Sequence, residues 1–174
     1  DLFAIATGRE RPSDEKWGRG QRPVINVSSR DAESYTEWLS KQTKFHYRLS
    51  TQEEWEYAAR GDTESTFWWG SPKIKQANCN NCANQWDGKQ TAPVGRFSPN
   101  PFGIYDTIGN VMEWTLSCGS RGKDCSKQIA RGSYFRTPME ELNSPKREAL
   151  KTKSKRNHIG FRIVRIDKTV KKEK

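Results

Sequence analysis

Two features of the sequence carry side chains able to do chemistry. The first is a set of four cysteines, arranged as Cys79-Asn80-Asn81-Cys82 and, further on, Cys118 with Cys125. An even number in two local pairs suits disulfides formed in an oxidising compartment, each closing a short loop. The same residues suit reduced thiols, or zinc, because a C-x2-C pair is half of a four-thiolate knuckle; the spacing of Cys118 and Cys125 is wider than zinc sites usually use. The second feature is the segment from Asn100 to Trp114, in which Asp106 and Glu113 offer hard oxygen ligands. Gly109 and Asn110 between them permit a sharp turn that would aim carbonyls at a common point, an arrangement suited to calcium; the alternative is two carboxylates on a turn facing water. Only two histidines occur, His46 and His158. Both read as structural, and there is no Ser-His-Asp arrangement and no phosphate-cradling glycine loop.

The elements that must position these residues fall into two kinds. After the extended run Pro23 to Val27, Ser28 stands three residues before Asp31, and Ala32, Tyr35, Trp38 and Leu39 follow at helical spacing, which predicts a capped amphipathic helix. A second helix is predicted from Ser50-Thr51-Gln52-Glu53, with Trp55, Ala58 and Ala59 inward and Gly61 past its end. Between them Phe45 to Leu49 alternates as a short strand. From Gly61 to Arg131 turn residues recur every few positions, as in Asp87-Gly88, Ser98-Pro99-Asn100-Pro101 and Ile108-Gly109-Asn110, which excludes long regular elements. So long an irregular stretch needs something to pin it, and metal ions or disulfides are the usual means. Strands resume near Ile129 to Phe135 and over Ile159 to Ile166.

Composition bounds the rest. The chain has 174 residues and a net charge of +10. Leu, Ile, Val and Phe make up only about a sixth of it, a share that with this charge resembles a disordered chain. Seven Trp and five Tyr point instead to a folded domain whose core relies on large aromatics. No apolar run is long enough for a membrane-spanning helix. The charge is concentrated: Lys146 to Lys174 holds 12 basic and 3 acidic residues. Residues 167–174 read as a solvated basic tail, with docking to an acidic partner as the functional alternative. Nucleic acid is not expected as a partner, because the basic residues lack the interleaved aromatics that stack on bases.

Several blocks, in order, resemble the formylglycine-generating enzyme family of sulfatase-modifying factors. They are Arg22-Pro23-Val24-Ile25-Asn26-Val27-Ser28, Tyr47 to Arg60, Thr91-Ala92-Pro93-Val94-Gly95, Asn100 to Trp114, Arg131-Gly132-Ser133-Tyr134, and Ile159-Gly160-Phe161-Arg162. The resemblance implies an α+β, C-type-lectin-like fold with two helices, short twisted antiparallel strands and much irregular loop, as one domain over residues 1–166. The family pattern begins before Asp1, so an N-terminal part is expected to be missing. One or two calcium ions are implied. The first would be held at Asp106, Gly109, Val111 and Glu113, the middle two through main-chain oxygens. The second would lie near Asn78 and Cys79, with Asp87 as the acidic candidate, shifted by one residue from the family pattern.

The departure from the family concerns catalysis. Formylglycine synthesis there needs two cysteine thiolates that bind Cu(I), and the matching positions here hold Arg136 and Glu141. Neither can bind Cu(I) or attack as a thiolate, so no catalytic residue and no copper cofactor are expected, and Arg136 and Glu141 are expected to pair with each other. The cysteines are expected as disulfides Cys79–Cys82 and Cys118–Cys125, which implies a periplasmic or secreted protein whose leader is not in this chain, with the cytoplasm as the alternative. The functional expectation is a non-catalytic binding or accessory module for a partner protein or small ligand. Two alternatives are an enzyme of different chemistry, like relatives that act in siderophore maturation, and the ligand-binding variable protein of a diversity-generating retroelement.

Overall fold

The structure is a computed structural model and describes residues 1–71, 75–120, 125–143 and 146–167. Most of the tail expected over 167–174 lies outside the described residues. Three α-helices occur among the described residues: α1 (Leu2–Thr7), α2 (Ser29–Thr43) and α3 (Gln52–Arg60). The strands are β1 (His46–Leu49), β2 (Met112–Cys118), β3 (Lys127–Arg131), β4 (Arg147–Lys151), β5 (Ile159–Phe161) and β6 (Ile163–Ile166).

The two long helices start where their caps dictate. Ser28 accepts from the amide of Asp31 while the Asp31 carboxylate accepts from the Ser28 amide, so two otherwise orphaned donors are satisfied together. For α3 the working box is Thr51 with Glu54, one residue later than Ser50 with Glu53. The shift is dictated by burial: Ser50 is buried, while Glu54 on the surface also pairs with Arg48 at 2.6 Å. Gly61 ends the helix in the left-handed conformation at φ 59°.

The strands form a two-stranded sheet, β1 with β6, and a four-stranded sheet in the order β4-β3-β2-β5. All pairs are antiparallel except β2 with β5, which is parallel. The larger sheet is therefore mixed, where the expectation was antiparallel throughout. The run Ile159 to Ile166, read as one strand, is split at Arg162 into β5 and β6, so it serves both sheets. The core of this frame gathers Ala32, Leu49, Met112, Trp114, Ala130, Leu150 and Ile159, with Tyr134 and Phe161 against it. Trp114 is fully buried, and its indole N–H donates to the Val27 carbonyl at 2.9 Å, which gives the one polar atom of the ring a partner.

Between α3 and β2 no helix or strand is present among the described residues, apart from isolated bridges at Phe67, Gly70 and Asn80. This irregular half has its own apolar cluster of Phe67, Ala77, Cys79, Cys82, Ile108 and Leu142, with Trp68, Trp69 and Met139 packed on it. Cys79 and Cys82 are joined by a disulfide inside it.

Candidate functional site

Glu113 lies in the middle strand pair of the larger sheet, opposite Arg131 on β3 and Gly160 on β5. Its carboxylate is buried and held from two sides. The Trp55 indole of α3 donates to Oε2 at 2.6 Å, and Arg162 donates through Nε to Oε2 at 3.0 Å and through Nη2 to Oε1 at 2.8 Å. Attraction to Glu113 raises the pKa of the Arg162 guanidinium. Arg162 Nη2 also donates to the Tyr105 carbonyl at 2.8 Å, so one guanidinium fastens the turn before β2 to the frame. Such a charge-assisted, two-point contact carries both energy and orientation.

Asp106 occupies that turn at φ 56°. Its Oδ2 accepts from the Gly95 amide at 2.7 Å, while Oδ1 has no partner among the described residues. Burial raises the Asp106 pKa, partly offset by the Gly95 hydrogen bond and Arg162. Asp106, Val111, Glu113 and Arg162 share a cavity of about 280 Å³. Three of the four residues expected at the first calcium position, Asp106, Val111 and Glu113, are thus brought together, while Gly109 does not line this cavity and lies against Asn78; the carboxylates keep accepting capacity, since a carboxylate has about four lone-pair sites, of which Asp106 uses one and Glu113 three.

Asn78 is the hub of the second position. Its Nδ2 donates to the Gln90 carbonyl at 2.9 Å, its main-chain oxygen accepts from the Asn110 amide at 2.8 Å, and its Oδ1 is buried with no partner among the described residues. A buried amide oxygen left unpaired is costly, and an oxygen-seeking cation is a physical solution. Gly109 is fixed here by contact as well as by φ 82°: a Cβ on it would lie 2.5 Å from the Asn78 oxygen. The Cys79 carbonyl is adjacent and accepts from Gly88 at 3.3 Å. Asp87 takes a different part from the one expected. Both its oxygens accept main-chain amides, Asn81 at 2.7 Å and Ala83 at 2.8 Å, so it caps the disulfide loop.

Arg136 and Glu141 do not pair. Arg136 is exposed with its guanidinium 5.3 Å from the centre of the Phe135 ring, and Glu141 faces Lys146 at 3.4 Å. The side chains have separate partners because the chain between them turns through the short 3-10 helix Met139–Glu141. His158 stacks on Tyr134 at 4.3 Å, and burial with the nearby Arg156 and Arg136 pushes its pKa down to about 4. His46 stands on β1 with its side chain exposed. The expected disulfide between Cys118 and Cys125 is not formed. Both residues are exposed, and both sulfurs lie against the Lys127 carbonyl, at 3.6 Å and 3.1 Å. Local pairing in sequence brings the sulfurs together without fixing their oxidation state.

The model of the family described as "Sulfatase-modifying factor enzyme 1-like domain" matches residues 4–166. The chain belongs to this family. Among its relatives, the formylglycine-generating enzyme of Mycobacterium tuberculosis is 40% identical over 57% of this chain and 34% of its own length. The inactive C-alpha-formylglycine-generating enzyme 2 of Bos taurus is 36% identical over 65% of this chain and 38% of its own. The chain therefore spans little more than a third of the length of these two relatives. Among solved structures, PvdO from Pseudomonas aeruginosa superposes with a TM-score of 0.83 at 28% identity, covering 95% of this chain and 75% of that one. Treponema denticola variable protein 1 shares the fold, with a TM-score of 0.75 at 20% identity over 93% and 79% of the two chains. Within the sulfatase-modifying factor fold, the contacts that sequence reasoning missed are those of Arg162, of Trp55, read only as an inward helix residue, and of Asn110, read only as a turn former. The Gly-Phe-Arg block was the signal for Arg162; that its partner would be Glu113, far away in sequence, had no local signal.

Proposed function

We propose that this member of the family is a non-catalytic, calcium-stabilised binding module for a partner protein or small ligand. The observation that carries the reading is the state of the positions matching the family's thiolates. Arg136 lies on an aromatic ring, Glu141 lies against a lysine, and no cysteine follows Cys125. Similarity to relatives named inactive supports it. Calcium, when bound, would neutralise the buried carboxylates and give the unpaired oxygens a partner. Asp106, Gly109, Val111 and Glu113 would hold one ion, and Asn78 and Cys79 would contribute to a second, with the Asp106 carboxylate kept ionised by the charge.

Binding on such a frame uses exposed loops and needs no catalytic constellation. Lys151 and Lys153 are exposed with no carboxylate at ion-pair distance among the described residues, and they favour a partner with acidic groups. The buried Cys79–Cys82 disulfide favours a periplasmic or secreted setting. Incubation with copper, oxygen and a sulfatase-type cysteine peptide is the test. The peptide mass should stay unchanged, and conversion above that of a calcium-only control would overturn the reading.

A further inference from the structure

β4 forms one rim of the larger sheet. Its register with β3 runs unbroken from Lys127 opposite Lys151 to Arg131 opposite Arg147. The Thr152 amide donates to the Ser126 carbonyl at 3.0 Å and the Gly132 amide to the Lys146 carbonyl at 2.9 Å, so the even-numbered residues along β4 turn their main-chain groups toward β3. In an antiparallel ladder the alternate residues turn theirs outward. The Lys151 carbonyl accordingly accepts from the Ser154 amide at 2.8 Å, in the turn beyond the strand. The amides of Arg147, Ala149 and Lys151 and the carbonyls of Arg147 and Ala149 have no hydrogen-bond partner among the described residues.

The charges beside this rim are unbalanced. Lys127 faces Lys151 and Arg131 faces Arg147 across the register, and like charges directly opposite destabilise a strand pair. Glu56 answers Arg131. Lys127, Arg147, Lys151 and Lys153 are exposed and have no carboxylate at ion-pair distance among the described residues; Arg147 donates to the Gln52 side-chain oxygen at 3.4 Å. The strand's own carboxylate, Glu148, alternates to the other face and lies 3.7 Å from Arg156. We propose that the outer edge of β4 takes up an acidic, extended segment of a partner protein as an added strand, with carboxylates at alternate positions facing Arg147 and Lys151. Main-chain bonds supply the affinity and the alternate side chains the choice of sequence. A second copy of β4 paired antiparallel about Ala149 would set Arg147 against Lys151, so the edge disfavours its own kind. The inference rests on the proposed reading of the chain as a partner-binding module and names the form of that partner.

The test is fluorescence anisotropy of the full chain with a labelled peptide that alternates Glu and Val. Binding should saturate and weaken as salt rises. Methylating either the Glu amides or the Val amides of the peptide should weaken binding about tenfold for one set alone, because an added strand pairs through a single edge. Ala149→Pro removes an outward amide at an edge position where proline is tolerated; it should keep the fold, checked by thermal melting, and weaken binding by a similar factor. R147E/K151E keeps the edge amides and should exchange preference, rejecting the Glu-Val peptide and binding its Lys-Val counterpart. A folded parent that ignores the Glu-Val peptide would overturn the assignment, as would equal effects of the two methylated sets. So would a DNA oligonucleotide of equal charge that binds as tightly and is insensitive to A149P, or self-association of the parent that A149P abolishes. The assay involves no catalysis, so peptide conversion in the copper experiment would overturn the non-catalytic reading and leave this edge standing.

Discussion

The frame and the irregular half bury polar backbone in different ways. In the frame, sheet ladders and helices satisfy the amides, and α2 and α3 are closed by capping boxes. Between Gly61 and Val111 the same task falls to buried side-chain amides. Asn110 accepts from the Ala92 amide at 2.9 Å and donates to the Ala92 carbonyl at 3.3 Å. Asn100 donates to the carbonyls of Ala58 and Ala59 and accepts from the amides of Phe102 and Ile104. A ladder spreads its bonds over many residues, so one substitution loses little. An asparagine that serves several main-chain groups concentrates them, so one substitution strands several at once. The irregular half therefore depends on a few residues, and on the joints that tie it to the frame.

The largest effect should come at the main joint. Glu113→Ala leaves the Trp55 indole and the Arg162 guanidinium without their acceptor, and removing one partner of a buried ion pair costs about 3–5 kcal/mol. The loss should appear by thermal melting in chelator as well as in calcium, and be greater in calcium. An unchanged melting temperature in chelator would show that the joint does not support the fold. Next, Asn110→Ala strands both polar groups of Ala92, a cost of about 2–6 kcal/mol at about 1–3 per buried group. Urea unfolding should show that loss, and a change below that of an exposed alanine substitution would break the comparison.

Replacing Cys79 and Cys82 by Ser removes a short crosslink, for which loop-closure entropy predicts about 2 kcal/mol. It should act on the irregular half, with proteolysis between residues 75 and 111 rising before cleavage of α2. The frame's counterpart is smaller: Thr51→Ala should cost about 1 kcal/mol and leave the loop region's protease resistance unchanged. One further effect appears only in acid. His158 titrates at about 4 in the fold against an ordinary 6.5. Between those values the unfolded chain takes up a proton that the folded chain refuses, so stability falls as pH is lowered through that window. His158→Gln should flatten that part of the acid slope, read as the urea midpoint at pH 7 and pH 5. An unaltered slope would assign it to other groups.

The same division explains what was legible in the sequence. Capped, amphipathic α2 could be read from Ser28 and Asp31, and α3 was found with its cap displaced by one residue, because Ser50 and Thr51 offer adjacent hydroxyls and only burial chooses between them. β2 left no trace: Met112, Glu113, Trp114 and Thr115 are all buried, so the alternation that marks a half-exposed strand is missing. β4 is an edge strand with only Leu150 buried, and it too lacks a clean pattern. Turn residues correctly marked the irregular half, but no local rule reveals that Asn78, Asn100 and Asn110 are buried connectors. Asp106 and Glu113 stood out as carboxylates near a turn, whereas the guanidinium between them comes from Arg162, across the sheet.

On the proposed reading, calcium would complete the buried oxygens that pin the irregular half, while the frame would stand without it. Hydrogen exchange of the whole chain in calcium and in chelator tests this most directly. Protection should fall in chelator across Ala77 to Val111 and stay the same in α2 and α3. Equal protection in both solutions, or a loss spread evenly over helices and loops, would contradict the account.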